Sequence, residues 1–174
     1  MSLDRCLQDI SEVEKPLRHV YLIELSSLTS QEIEKFLGTC SDIPSERRRE
    51  VVAALVELAE NTAELDFGAV FRACLKDPDD EVREKAVSSL WEEEDRGLIP
   101  ELLELLRDDP SHRVRSAAAT ALGMFVELAA DGKLLSKDRE MVKEYLIHVL
   151  KDSEEPLDVR RRSLEALAPL NTSE

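Results

Sequence analysis

Apolar residues recur along most of this chain at intervals of three and four positions, the spacing that places them on one face of an α-helix. One such stripe ends at a leucine and consists of Phe67, Val70, Phe71, Cys74 and Leu75. Strand-type alternation of apolar and polar residues is nearly absent. The pattern therefore predicts an all-α protein.

The stripe belongs to a unit that returns along the chain. Its spacing runs from 75 to 90, again from 106 to 122 and from 150 to 167, and in a weaker copy from 37 to 55. Each copy has an arginine followed seven residues later by a leucine, and these arginines are Arg48, Arg83, Arg115 and Arg160. One register in four copies predicts a helical repeat array.

The repeat predicts one continuous domain made of a cap and four repeats. Two short helices joined near Pro16 should form the cap and cover the open end of the first repeat. The second of them should have Leu17, Val20, Tyr21 and Leu25 on one apolar face. The predicted segments are an N-terminal helical cap (1–28), repeat 1 (29–61), repeat 2 (62–95), repeat 3 (96–130), and repeat 4 with the C-terminal end (131–174).

Local signals predict several helix ends. Thr29 is a candidate N-cap for the first repeat. Asp77 is expected to cap the amides of a helix that has Pro78 in its first turn. Gly132 marks a turn before a helix over 136–151.

The chain is strongly acidic, which bears on its partners. It has 23 Lys and Arg against 38 Asp and Glu, a formal charge of −15. Phosphate groups would meet net repulsion, so neither nucleic acid nor an anionic membrane is an expected partner. The apolar cluster 20–23 is cut by Glu24 and is too short to span a membrane or to serve as a signal sequence, so we expect a cytoplasmic protein.

The sequence offers no catalytic, cofactor-binding or metal-binding motif. His19, His112 and His148 are dispersed, and neither a P-loop nor a nucleophile motif is present. Cys6, Cys40 and Cys74 lack C-x-x-C spacing and are expected to pack as reduced, apolar side chains. We therefore predict no catalytic residue, no cofactor and no metal, and a protein that is not an enzyme.

The residues of the second repeat resemble a known family. The run Asp77-Pro78-Asp79-x-x-Val82-Arg83-x-x-Ala86-x-x-x-Leu90 is similar to the HEAT-repeat pattern, in particular to the bacterial HEAT-like repeats also found in phycobilin lyase subunits. The resemblance covers about residues 30 to 170. It implies a right-handed α-solenoid of about four antiparallel helix pairs. The first helix of each pair, helix A, would lie outside, and the second, helix B, would line a concave face. The resemblance also implies a function of binding other macromolecules. The first repeat departs from the pattern, because Arg47 stands where valine is usual.

In repeats of this type the helix-B arginine pairs with a carboxylate of a nearby turn. The resemblance therefore implies that Arg48, Arg83, Arg115 and Arg160 bond to turn carboxylates, for which Asp77, Asp108 and Asp152 are suitably placed. Two readings stay open for the acidic turns, namely helix capping with solubility and steering of a basic partner.

Helix-B positions one, five and nine residues after the arginine should line the concave face. These candidate partner-binding residues are Arg49, Glu57, Glu84, Ser88, Glu92, Ser116, Thr120, Met124, Arg161 and Glu165. Trp91, the single tryptophan, is expected to pack against Leu98 between repeats rather than to be an exposed binding residue.

These features favour a scaffold or adaptor that binds another protein or peptide, one with a basic surface if the acidic turns steer it. The alternative is an accessory subunit of an enzyme, such as a bilin-lyase-like handler of a chromophore or its acceptor protein. That function would require a roomy apolar or Arg-lined groove. The sequence leaves the oligomeric state open.

Overall fold

A computed structural model describes residues 2–172 of the 174-residue chain. Within these residues all regular structure is helical, with ten α-helices and three short 3₁₀ helices. This confirms the predicted all-α class. Two compact units divide the chain, Met1–Ser89 and Leu90–Glu174.

The first unit has six α-helices among its described residues. They are α1 (Leu3–Ser11), α2 (His19–Leu22), α3 (Ser30–Ser41), α4 (Ser45–Asn61), α5 (Gly68–Cys74) and α6 (Asp80–Ser88), with a 3₁₀ turn at Ile23–Leu25. The two helices expected near the N-terminus are present as α1 and α2. The inward face of α2 differs from the prediction, because Val20 is exposed and the neighbouring Leu22 is fully buried with Leu25.

The weaker first repeat also uses different residues from those the pattern suggested. Leu37, aligned with the anchor leucines of the other copies, is exposed, and the adjacent Phe36 is fully buried in its place. Arg47, at the usual valine position, is buried and donates hydrogen bonds to two carbonyls at the end of α1, those of Ile10 (3.1 Å) and Asp9 (2.9 Å). The departure from the repeat pattern therefore serves to bind the N-terminal helix.

Helix caps explain where two helices of this unit begin. Thr29 caps α3 as predicted, in a reciprocal arrangement in which Glu32 accepts the Thr29 backbone N–H at 2.9 Å. The predicted cap at Asp77 is wrong, because α6 begins at Asp80 with Asp79 as its N-cap. Asp77 instead accepts the backbone N–H of Asp79 at 2.9 Å and holds the turn that contains Pro78.

The second unit has four α-helices among its described residues. They are α7 (Ile99–Asp108), α8 (His112–Ala130), α9 (Ser136–Lys151) and α10 (Leu157–Leu167), with 3₁₀ turns at Arg96–Leu98 and Ala168–Thr172. The predicted bounds of α9 are confirmed. The turn before it contains Gly132 with a φ of 71°, a conformation that favours glycine.

Helix α8 is the centre of this unit, since it packs against α7, α9 and α10. Its Leu122 and Phe125 are fully buried, as are Leu102 of α7, Leu146 of α9 and Val159 of α10. Full burial of such side chains stabilises a fold by roughly 1.5–3 kcal/mol each. This core fixes α8 and α10 side by side.

Candidate functional site

A groove runs along α8 and α10 in the second unit, with a volume of about 670 Å³. We call it the α8–α10 groove. Its lining residues come from the two helices and from the segments at 91–94 and 169, and they are Trp91, Glu92, Glu94, Thr120, Ala121, Gly123, Met124, Glu127, Arg162, Glu165, Ala166 and Pro169.

The groove lies where the two helices approach closely. A Cβ atom placed on Gly123 would lie 3.4 Å from the Cα and Cβ atoms of Ala166. The missing side chain at Gly123 and the methyl group of Ala166 leave space above this contact, beside the half-buried Met124. The groove therefore has an apolar base of small side chains.

Trp91 lies at the groove with 64% of its surface exposed. The expectation that it packs against Leu98 is wrong, although Leu98 itself is fully buried. Helix α6 ends at Ser88, and the chain then turns, with the Glu93 N–H bonded to the Leu90 carbonyl at 3.0 Å. Leu90 takes the buried position in this turn and the indole of Trp91 stays accessible.

Negative charge dominates the groove. Among its described lining residues, four are glutamates, namely Glu92, Glu94, Glu127 and Glu165, and one is an arginine, Arg162. The Arg162 Nη1 donates to Glu165 Oε2 at 2.8 Å. This pairing offsets the arginine charge and leaves an excess of carboxylates.

The structure brings together four of the ten predicted partner-binding residues in this groove: Glu92, Thr120, Met124 and Glu165. Two others are adjacent to them. The Ser116 carbonyl accepts a hydrogen bond from Thr120 Oγ1 at 3.1 Å, and Arg161 Nε lies 3.7 Å from a carboxylate oxygen of Glu165.

The other four predicted residues belong to the first unit. Glu57 and Ser88 are exposed and Glu84 is half-buried. Arg49 is engaged within its own unit, where it donates two hydrogen bonds to the Asp79 carboxylate and lies 3.4 Å from Glu81. The bond from Arg49 lowers the pKa of the Asp79 carboxyl below its ordinary value.

The repeat arginines bond to turns, but with partners that differ between copies. Arg48 binds the Asp77 carboxylate through two hydrogen bonds of 2.8 and 3.0 Å, as the resemblance implied. Arg83 donates to backbone carbonyls of its own turn, those of Asp77 (2.7 Å) and Pro78 (3.1 Å). Main-chain carbonyls of a turn therefore also accept hydrogen bonds from a repeat arginine.

Asp108 and Asp152 do not take the part expected of them. Arg115 donates to Glu155 at 3.2 Å and to the Asp109 carbonyl at 2.8 Å, whereas Asp108 binds the adjacent Arg107. Arg160 donates to the Leu150 carbonyl at 3.2 Å, and Asp152 accepts the backbone N–H of Glu154 at 2.9 Å. Asp108 is still within α7, so its side chain stays beside Arg107.

The three thiols lie in the core. Burial raises the pKa of Cys6 and of Cys40 to about 12 and raises the pKa of Cys74 further, which disfavours the reactive thiolate. In residues 2–172 no group of three or more His, Cys, Asp or Glu side chains could hold a metal ion. None of the helices in that range combines the length and apolar character needed to cross a bilayer.

A second groove of about 460 Å³ lies between α7 and α9. Its lining includes Arg107, Tyr145, His148 and Glu155. Arg107 already binds Asp108 and lies 3.4 Å from the Tyr145 hydroxyl, and Glu155 binds Arg115. These side chains are thus largely occupied by contacts within the unit.

Comparison with known proteins identifies a family and a likeness of fold. A family model for HEAT repeats matches residues 68–168. The structure is similar to a designed armadillo repeat protein, YIII(Dq)4CqI, with a TM-score of 0.57 and 19% sequence identity over 97% of this chain and 81% of that chain. No curated protein matches the chain significantly. The structural likeness supports a repeat array of helix pairs.

Proposed function

Because the chain belongs to the HEAT-repeat family, we propose that it is a non-enzymatic scaffold that holds a segment of another protein in the α8–α10 groove. HEAT and armadillo repeat folds commonly serve as protein-interaction scaffolds. The observation that carries the proposal is the exposed Trp91 at the edge of this groove. Tryptophan is enriched among the residues that dominate binding energy at protein interfaces.

The dimensions and lining of the groove support a peptide occupant. Its volume of about 670 Å³ falls in the range of small-ligand pockets, roughly 300–1,000 Å³, so it has room for a few side chains of a bound segment. Thr120 and Met124 lie one helical turn apart on α8, and Glu165 faces them from α10. A segment lying along the groove would contact both helices.

The proposal extends to the other candidate positions as further partner contacts. These are Ser116 and Arg161 in the second unit, and Arg49, Glu57, Glu84 and Ser88 in the first. We also propose a cytoplasmic location. The proposed partner is not a nucleic acid, because the glutamates of the groove would repel its phosphate groups.

The alternative function, an accessory subunit of an enzyme, has less support. It would require a roomy apolar or Arg-lined groove. The α8–α10 groove has an apolar base, but its described lining carries four glutamates against one paired arginine. A coloured or other small ligand that copurifies with the protein would favour this alternative.

The test is a substitution that fills the groove without changing its charge. Thr120 is exposed, and its hydroxyl bonds only to its own helix in the described structure, so Thr120→Phe should fold normally and obstruct the groove. Thr39→Phe is a matched control, because Thr39 makes the same bond to the carbonyl four residues earlier, at 3.2 Å on α3. Affinity purification from native cells with each bait, followed by mass spectrometry, identifies the proteins retained.

A partner retained by the intact chain and by Thr39→Phe, lost by Thr120→Phe, and shown to bind directly after purification would support the proposal. A partner retained equally by all three baits would overturn the assignment to this groove. Circular dichroism and thermal unfolding of both variants would show that they are folded.

A further inference from the structure

We propose that the occupant of the α8–α10 groove is a basic segment, and that Trp91 with Glu92, Glu94 and Glu127 binds a lysine or arginine side chain of it. This inference rests on the proposed function and specifies the chemistry of the partner.

The charge of the groove is the first argument. The structure describes no hydrogen bond or ion pair between a basic residue and Glu92, Glu94 or Glu127 of the groove. Glu165, by contrast, accepts a hydrogen bond from Arg162 at 2.8 Å. An acidic or phosphorylated segment would therefore be repelled. A basic segment would be attracted and oriented, since complementary charge sets the specificity of an interface.

The second argument is the position of Trp91 beside these carboxylates. Its neighbours in sequence, Glu92 and Glu94, line the same groove, so an aromatic face and two carboxylates belong to one short segment. A tryptophan face attracts a lysine ammonium or an arginine guanidinium. Carboxylates beside the ring satisfy the hydrogen-bond donors of such a cation.

The apolar base of the groove provides the third argument. Lysine and arginine have long aliphatic stems that pack on apolar surface while the charged end stays near water. Met124, Ala166 and Pro169 supply such a surface next to the glutamates. The groove thus offers both parts of the contact that a basic side chain makes.

Synthetic peptides provide the direct test with the full chain. The probe is a capped twelve-residue peptide of alternating lysine and alanine, and its counterpart has glutamate in place of lysine. Trp91 is the only tryptophan, so its fluorescence reports binding at this groove. We expect a saturable fluorescence change with the lysine peptide that weakens as salt rises, and no change with the glutamate peptide.

Charge-matched variants separate the groove from the general acidity of the protein. The variant Glu92→Gln with Glu94→Gln and Glu127→Gln should weaken binding of the lysine peptide at least about tenfold. The control neutralises three exposed glutamates outside the groove, Glu104, Glu140 and Glu154, and should weaken binding less than about threefold. Calorimetry should show that Trp91→Ala weakens binding more than Trp91→Phe, because phenylalanine keeps an aromatic face.

Equal weakening by the two triple variants, or equal binding of the two peptides, would overturn the inference. The proposed function could then still stand, if Thr120→Phe removes the cellular partner. Conversely, specific binding of the lysine peptide together with a cellular partner that Thr120→Phe retains would support the charge preference of the groove and contradict the proposed function.

Discussion

Arg48 donates two parallel hydrogen bonds to the carboxylate of Asp77, from Nε at 2.8 Å and from Nη2 at 3.0 Å. Its Nη1 donates to the Ile43 carbonyl at 2.8 Å. Only 11% of the Arg48 side chain and 9% of the Asp77 side chain are exposed. The pair joins helix α4 to the turn before α6, within the first unit.

Replacing Arg48 with methionine should lower the free energy of unfolding by about 2–3 kcal/mol. The methionine keeps the aliphatic volume, but the Asp77 carboxylate loses its charged partner in a mostly buried site. Urea unfolding followed by circular dichroism measures the change.

A matched exposed pair serves as the control. Arg107 binds Asp108, and both side chains are more than half exposed. Arg107→Met should change stability much less than Arg48→Met, since water screens exposed ion pairs. Equal losses of unfolding free energy from the two substitutions would show that burial does not strengthen the Arg48–Asp77 pair.

The resemblance to HEAT repeats implies this pair, and the same expectation fails where local geometry differs. Helix α7 continues through Asp108, which keeps that carboxylate beside Arg107 and leaves Glu155 to meet Arg115. Glu155 lies 40 positions after Arg115, in the turn before α10. The period of the repeat does not predict which residue of that turn binds the arginine.

Part of the α8–α10 groove was predictable from helix periodicity. Helix-B register identifies Thr120, Met124 and Glu165, because these positions depend only on helix periodicity. Trp91 follows the end of α6, where the course of the chain depends on a turn that lacks a glycine or proline signal. Gly123 matters because of its distance from Ala166 on another helix, which periodicity does not give.

Asp79 gives a pH-dependent prediction. Arg49 lowers the pKa of this carboxyl, so the ionised form stabilises the folded chain. That stabilisation is fully present above the ordinary aspartate pKa of about 3.9, and it is lost as pH falls through the lower pKa of the folded state. Asp79→Asn keeps a side-chain oxygen to cap α6 but removes the charge.

We therefore expect the wild type to be more stable than Asp79→Asn at pH 7, with the difference shrinking as the pH falls below about 4. Urea unfolding of both proteins at several pH values between 7 and 3 measures it. In an Arg49→Met background the difference should depend less on pH. A difference that stays constant over the whole range would show that Arg49 does not shift the Asp79 carboxyl.

Trp91 should contribute little to folding despite its size. Because 64% of its surface is exposed, Trp91→Ala is expected to change the free energy of unfolding by less than about 1 kcal/mol. Leu98→Ala, at a fully buried position nearby in sequence, should cost about 2–5 kcal/mol.

Acrylamide quenching of the native protein provides an independent measurement of Trp91. An exposed indole should be quenched nearly as strongly in the folded as in the urea-unfolded chain. Strong protection in the folded state, or a large loss of stability in Trp91→Ala, would instead support the packing between repeats that the sequence suggested.

The contact between α8 and α10 predicts opposite effects of two substitutions at Gly123. An alanine Cβ would lie 3.4 Å from the Cα and Cβ atoms of Ala166, at the short limit of ordinary van der Waals contact. Gly123→Ala should therefore raise the free energy of unfolding by no more than about 1 kcal/mol, through better helix propensity. Gly123→Val adds two methyl groups at this close approach and should lower the free energy of unfolding by about 1–3 kcal/mol.

Gly38 is the control, because it lies in α3 with no neighbouring atom within 4 Å of an added Cβ. Valine and alanine at Gly38 should therefore differ only by their helix propensities, roughly 0.6 kcal/mol, and the same small difference at Gly123 would mean that α8 and α10 do not approach as closely as the structure has them.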